Sequence, residues 1–201
     1  MGRKLEIGPG KGSYRALGAG WETFNLGKEN RSDGSDSNHV GDARDLSRFG
    51  EEFEHVYSSH CIEHMHWYDL HDTIKGWARI LKPGGKLEVH TVDGAKVMKC
   101  LLEWEEGKEI SQHLNLGWRS NLTKNNPQLW LQGKLYNYTL DRNKDFDYHL
   151  HRSMLTPKLL TELFKEAGLV DVRVMKEREN TVPDNIKKHG WINLGVIGNK
   201  A

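Results

Sequence analysis

Near its start the chain reads Leu5-Glu6-Ile7-Gly8-Pro9-Gly10-Lys11-Gly12, a short apolar run that passes through an acidic residue into three glycines spaced two apart. An apolar strand that breaks at glycines must turn there. Glycine leaves that turn bare of side chains, so a ligand can lie directly against the main chain. Taken alone, the pattern is equally that of an ordinary glycine-rich turn. Glu6 discriminates between ligands. A loop built to cradle a pyrophosphate calls for positive potential and helix amides. A carboxylate suits a ligand that carries cationic amino and sulfonium groups.

The rest of the chain alternates strand and helix. Strands are expected at Arg3 to Ile7, Glu22 to Leu26, His39 to Gly41, Glu54 to Ser58, Lys86 to Val92, Val170 to Met175 and Trp191 to Ile197. Ser13 to Leu17 opens a short helix after the glycine turn. Tyr68 to Leu81 places Leu70, Ile74, Trp77, Ala78 and Leu81 on one helical face and stops at Lys82-Pro83-Gly84-Gly85. Thr156 caps a helix through Ala167, with Pro157 at its first position and Gly168 just past its end. Such alternation implies a mostly parallel sheet with helices on both faces, a fold that binds ligands beyond the carboxyl ends of its strands.

Composition narrows the partners. With 29 basic and 28 acidic residues the net charge is +1, which gives no electrostatic footprint for nucleic acid or an anionic membrane. Cys61 and Cys100 are too few for a disulfide framework or a zinc ribbon. Neither a signal peptide nor an 18-residue apolar run is present, so a cytoplasmic protein without a membrane partner is expected. A length of 201 residues fits one domain.

Four stretches in order resemble the class I S-adenosylmethionine-dependent methyltransferases, in particular the small ones associated with polysaccharide biosynthesis. They are Leu5 to Gly12, Val40 to Leu46 (VGDARDL), Val56 to His64 (VYSSHCIEH) and Ile80 to Leu87 (ILKPGGKL). A fifth, His151-Arg152-Ser153 with Leu159 through Val172, resembles the family's last helix and sixth strand. The resemblance implies an α/β, Rossmann-like, seven-stranded, mostly parallel sheet and S-adenosylmethionine as cofactor. It implies that Glu6 faces the methionine portion and that Gly8, Gly10 and Gly12 form the glycine turn against the cofactor. Asp42 and the Ala43 amide would read the adenine edge, with Ser59 and His60 along the methionine moiety. The bland alternative for Asp42 is a cap for the turn from Asp45 to Phe49. The family ends its second strand with an acidic residue that grips the ribose; here Asn25 stands there, a neutral and weaker acceptor, with Glu29 close by.

His60-Cys61-Ile62-Glu63-His64-Met65-His66 has metal-like spacing, but related sequences carry a similar stretch without metal, and none is expected here. Methyl transfer to oxygen needs a proton removed near neutral pH, which suits an imidazole, so His60 and His64 are the candidate catalytic residues. The alternative is that they pack against adenine or cap a helix, and Glu63 is equally structural. His149 and His151 are second candidates for acid–base work.

Residues 94–149 form an insertion within the single domain 1–201, expected to act as a lid or substrate-recognition element. Trp104, Trp118, Trp130, Tyr136, Tyr138, Phe146 and Tyr148 lie there, suited to stacking on sugar rings or to forming a lid core or subunit interface. Its first helix, Ala95 to Glu106, is expected to bury Val97, Met98, Leu101 and Leu102. Because the chain starts almost at the glycine turn, this region is the one expected to close the site. The reading is methyl transfer to an oxygen or nitrogen of a small molecule or glycan by direct in-line displacement, with a homodimer allowed. The alternative is a non-catalytic module that binds S-adenosylmethionine or S-adenosylhomocysteine. A nicotinamide-dependent dehydrogenase is disfavoured by Glu6 and by Asn25.

Overall fold

The computed structural model describes residues 2–9, 17, 18, 20–26, 37–110, 126–136, 150–177, 179, 181 and 191–201. The strands are β1 (Arg3–Ile7), β2 (Glu22–Asn25), β3 (His39–Val40), β4 (Phe53–Ser59), β5 (Leu81–Val92), β6 (Leu169–Val174) and β7 (Asn193–Lys200). They form one seven-stranded sheet in the order β3-β2-β1-β4-β5-β7-β6. Pairs from β3 through β5 are parallel, and β7 runs antiparallel between β5 and β6. The mostly parallel Rossmann-like sheet is therefore present. The helices among the described residues are α1 (Leu70–Arg79), α2 (Gly94–Glu105), α3 (Pro127–Leu135) and α4 (Pro157–Glu166). The helix expected at Ser13 to Leu17, apart from Leu17, lies outside them. No helix of the described residues is long and apolar enough to cross a membrane.

Alternation along the strands gives the sheet two unlike faces. On one, Leu5 pairs beside Val56 and Leu87, and Ile7 beside Ser58 and Val89. This face meets Ile74 and Trp77 of α1 and Leu160 and Phe164 of α4 in a single buried core. α4 forms where the sequence signals it: the Thr156 side chain accepts from the Leu159 amide at 3.2 Å, Pro157 opens the first turn, and Gly168 leaves at φ +81°. The opposite face is polar, with Glu6, His55, Glu88 and His90 all buried.

Two local expectations are corrected. β5 starts at Leu81 instead of Lys86: Phe53 pairs with Leu81 and His55 with Lys86, so Lys82 to Gly85 bulges out of a continuing ladder. In α2 the buried positions are Val97 and Cys100, with Leu101 packed against them, while Met98 is 38% and Leu102 60% exposed. The reason is the neighbour. α3 brings Trp130 and Leu131 against the side of α2 that carries 97, 100 and 101, and Ile110 and Ile192 complete this second core. Trp130, expected as a stacking or lid aromatic, is 2% exposed within it. Trp118, Tyr138, Phe146 and Tyr148 lie outside the described residues.

Trp77 is fully buried, and its indole N–H donates to the Ala43 carbonyl at 2.8 Å. Trp77→Phe removes that donor, strands a buried carbonyl and leaves a cavity. We expect a loss of about 2–4 kcal/mol, read from the urea midpoint at unchanged slope.

Glu88 is fully buried, 2.7 Å from His90 Nε2 and 3.4 Å from His55 Nε2, and it accepts from the Thr181 hydroxyl and, at 3.2 Å, from the Thr181 amide. Burial alone would push its carboxyl up. The close approach of His55 and the bonds to His90 and Thr181 prevail and hold it well below the usual carboxylate range. A depressed folded-state value contributes stability at neutral pH that disappears as pH falls below the ordinary carboxyl value of 4.5. The stability advantage of the wild type over Glu88→Gln should therefore shrink as acid is added through that range, as measured by denaturant titration at each pH.

Candidate active site

Parallel strands run in one direction, so whatever follows β1, β2, β3 and β4 emerges at the same edge of the sheet. Ile7 pairs with Phe24 and with Ser58, Asn25 with Val40, and Ser59 with His90. Gly8, Asn25, Asp42, Ala43, Ser59 and His60 therefore come together at this carboxyl edge. Gly10, Gly12, Glu29 and His149 lie outside the described residues.

At Gly8 the chain turns at φ +69°, and its amide donates to the Phe24 carbonyl at 2.9 Å. A Cβ there would sit 2.6 Å from Cys61 Sγ and 2.7 Å from its Cβ. The glycine is thus required by the protein itself, by its backbone conformation and by Cys61 packed over it. Burial, with the nearby Glu63 charge, pushes the Cys61 thiol up to about 12, which removes it as a nucleophile at neutral pH. Glu6 is 6% exposed and lies on the polar face between Thr23 and Tyr57.

Asn25 closes β2. Its carbonyl accepts from Gly41 at 3.0 Å, and its side-chain oxygen accepts from the Leu26 amide at 3.1 Å. Two residues beyond Val40, the Asp42 carboxylate takes Arg44 Nε at 3.0 Å on each oxygen, Arg44 Nη2 at 2.5 Å and the Arg44 amide at 2.9 Å. The Arg44 side chain holds the Asp42 carboxyl below its usual range against the effect of burial. Arg44 also reaches Asp69 at 2.9 Å, tying this loop to the start of α1. A cavity of ≈ 350 Å³ lies beside this contact, lined by Asp42, Arg44, Asp45, Asp69, Asp72 and Thr73. Asp42 also takes part in the turn that follows, its carbonyl accepting from the Asp45 amide at 2.9 Å. Arg44 and Trp77 are the two site-shaping residues that the sequence reading passed over. The adjacency of Arg44 to Asp42 was visible; the reach of Trp77 across 34 positions was not.

After β4 the chain bends sharply. His60 has a left-handed backbone, φ 53°, and its amide donates to the His90 carbonyl at 2.9 Å. A short 3-10 turn, Ile62–His64, then brings Glu63 back beneath it. His60 Nδ1 lies 2.8 Å from Glu63 Oε1, with Glu63 2% exposed. His64 Nδ1 meets the Leu150 carbonyl at 3.0 Å, and His151 Nδ1 meets the Lys134 carbonyl at 2.8 Å. The His64 and His151 rings meet edge to face at 4.9 Å. Burial holds the His151 imidazole below its ordinary value. Burial would raise the Glu63 carboxyl, but His60, with His64 and His151 near, brings it down to about 2. Three imidazoles thus surround one ionised, buried carboxylate. Among the described residues, no group of three or more His, Cys, Asp or Glu is placed to hold a metal ion.

Known proteins carry the same architecture. A family model described as a methyltransferase domain matches residues 2–174. A SAM-dependent methyltransferase from Archaeoglobus fulgidus superposes with a TM-score of 0.58 at 16% identity, over 98% of this chain and 86% of the other. One from Thermotoga maritima, described as a possible histamine N-methyltransferase, gives 0.55 at 19% identity, over 100% and 83%. The DszA carbon methyltransferase gives 0.55 at 15%, over 98% of this chain and 47% of its own. No curated protein matches the sequence. With 173 consecutive positions, 2 to 174, under one family model, the chain belongs to the methyltransferase-domain family, whose methyl donor is S-adenosylmethionine.

Proposed function

We propose that the protein transfers a methyl group to an oxygen or nitrogen of a small molecule or glycan by direct in-line displacement. The observation that carries this reading is an imidazole cluster, His60 with His64 and His151, at the end of β4, on the same sheet edge as Asn25 and Asp42. An oxygen or nitrogen acceptor must lose a proton on methylation, and imidazole takes protons near neutral pH.

The residues at this edge fit the cofactor by their chemistry. Asp42 offers an acceptor carboxylate for the adenine amine beside the Ala43 amide. Asn25 offers an amide oxygen to a ribose hydroxyl, and the buried Glu6 a negative charge to the amino group. When bound, the cofactor supplies an activated methyl on a sulfonium. The protein's own contribution is to hold the acceptor in line, exclude water and receive the proton at His60. Tyr136 is 59% and Trp67 73% exposed, and both are available to stack on a planar or sugar-like acceptor. The cytoplasm is the proposed location.

A screen with methyl-labelled cofactor against nucleotide sugars, glycan fragments and small amines tests the reading. Label on an acceptor oxygen or nitrogen is expected; label only on carbon, or no S-adenosylhomocysteine binding at millimolar concentration, sinks it. Asp42→Ala should weaken S-adenosylhomocysteine by tenfold or more in calorimetry, and unchanged affinity would remove Asp42 from the adenine site.

A further inference from the structure

We infer that Glu63 is a positioning residue that fixes His60 as the catalytic base, holding its ring with the proton on Nδ1 so that Nε2 accepts the proton of the methyl acceptor. This rests on the proposed reading of His60 as base, and it selects His60 over His64.

The argument begins with hydrogen-bond roles. Glu63 is ionised, so its oxygens can only accept. Facing it at 2.8 Å, Nδ1 of His60 must donate. In the neutral ring that leaves the lone pair on Nε2. A carboxylate nine-tenths or more removed from water is costly to keep unless it is paired, and here its partner is an imidazole rather than an arginine or lysine.

The arrangement is rigid on both sides. The left-handed backbone at His60 is a strained conformation for a non-glycine residue, and the hydrogen bond its amide donates to the His90 carbonyl holds it. The Glu63 carbonyl accepts from the Arg152 amide at 2.8 Å and the Ser153 amide at 3.2 Å, so the segment before α4 braces the turn. His64 and His151 also place their Nδ1 on acceptors, but those are neutral carbonyls of Leu150 and Lys134. Only at His60 does a full negative charge stand behind the ring among these three bonds. The side chain of His60 is 37% exposed and that of Glu63 3%, so the ring reaches solvent while its support stays dry.

In the step itself, the acceptor oxygen or nitrogen forms a bond to the methyl carbon as the carbon–sulfur bond breaks with its electron pair left on sulfur. The acceptor's proton passes to Nε2 of His60 and from there to solvent. Glu63 stays ionised throughout and touches neither substrate nor methyl group.

Nitrogen-15 spectra of the histidine side chains in the full-length protein test this directly. Neutral wild-type His60 is expected with Nδ1 protonated and Nε2 bare. In Glu63→Gln the amide can present oxygen or N–H₂ to the ring, and the single tautomer should give way to a mixture. On the acceptor returned by the labelled-methyl screen, Glu63→Gln should lower kcat by roughly 10²-fold or more with KM and S-adenosylhomocysteine affinity within about twofold. Wild-type His60 with its proton on Nε2, or full kcat in Glu63→Gln, would overturn the assignment. The wild-type tautomer needs no substitution, so a variant that fails to fold leaves the test standing. Full turnover in His60→Ala instead removes the base reading, while leaving the tautomer result intact.

Discussion

The level alignment of β1 and β4 is the constraint on which the site depends. Ile7 stands beside Ser58, whose hydroxyl donates to the Ile7 carbonyl at 3.1 Å inside the core. That contact fixes where both strands end. It sets the glycine turn after Ile7 directly against the bend that begins at His60, which is why Cys61 rather than solvent lies over Gly8. A slip of β1 by one residue in this pairing would turn Glu6 into the apolar core and move Leu5 and Ile7 to the polar face.

The two faces of the sheet divide the labour. One is a conventional apolar layer under α1 and α4. The other carries charge in the interior, with Glu88 at its centre bonded to His90 and, through Thr181, to the connection that leads into β7. A buried carboxylate with several partners ties distant segments together in one geometry, where a hydrophobic patch would tolerate several. At the amino ends of the strands a different clamp operates. Arg3 grips Glu22 at 2.6 and 2.8 Å, and His39 reaches the same carboxylate at 2.7 Å, so three strands are joined through one side chain.

Much of this was legible in the sequence because its causes are local. β1 follows from Arg3 to Ile7, α4 from the Thr156 cap and Gly168, and the buried face of α1 from Leu70, Ile74, Trp77 and Ala78. The stretches proposed to hold the cofactor stand out for the same reason, since each is contiguous and lies at a strand end. What escaped depends on residues far apart in the chain. The face that α2 buries is chosen by Trp130 and Leu131, some thirty positions on. The Lys82 to Gly85 turn reads as a stop, yet β4 draws the strand back to Leu81. The His-x-x-Glu spacing of His60 and Glu63 was plain to see. Its meaning was not, because that depends on a left-handed residue and a 3-10 turn folding the carboxylate under the ring.

The Trp77 bond to Ala43, together with Arg79 donating to the Leu46 and Phe49 carbonyls at 2.7 and 2.8 Å, makes α1 the anchor of the loop after β3. Thermodynamic linkage runs both ways through such an anchor. A ligand that settled on that loop would therefore share its free energy with α1, whose Asp72 and Thr73 line the same cavity as Asp42. The amides of α1 would then become more protected from exchange with solvent water, those at its far end included. Sequence drift along that helix, in turn, would tune affinity.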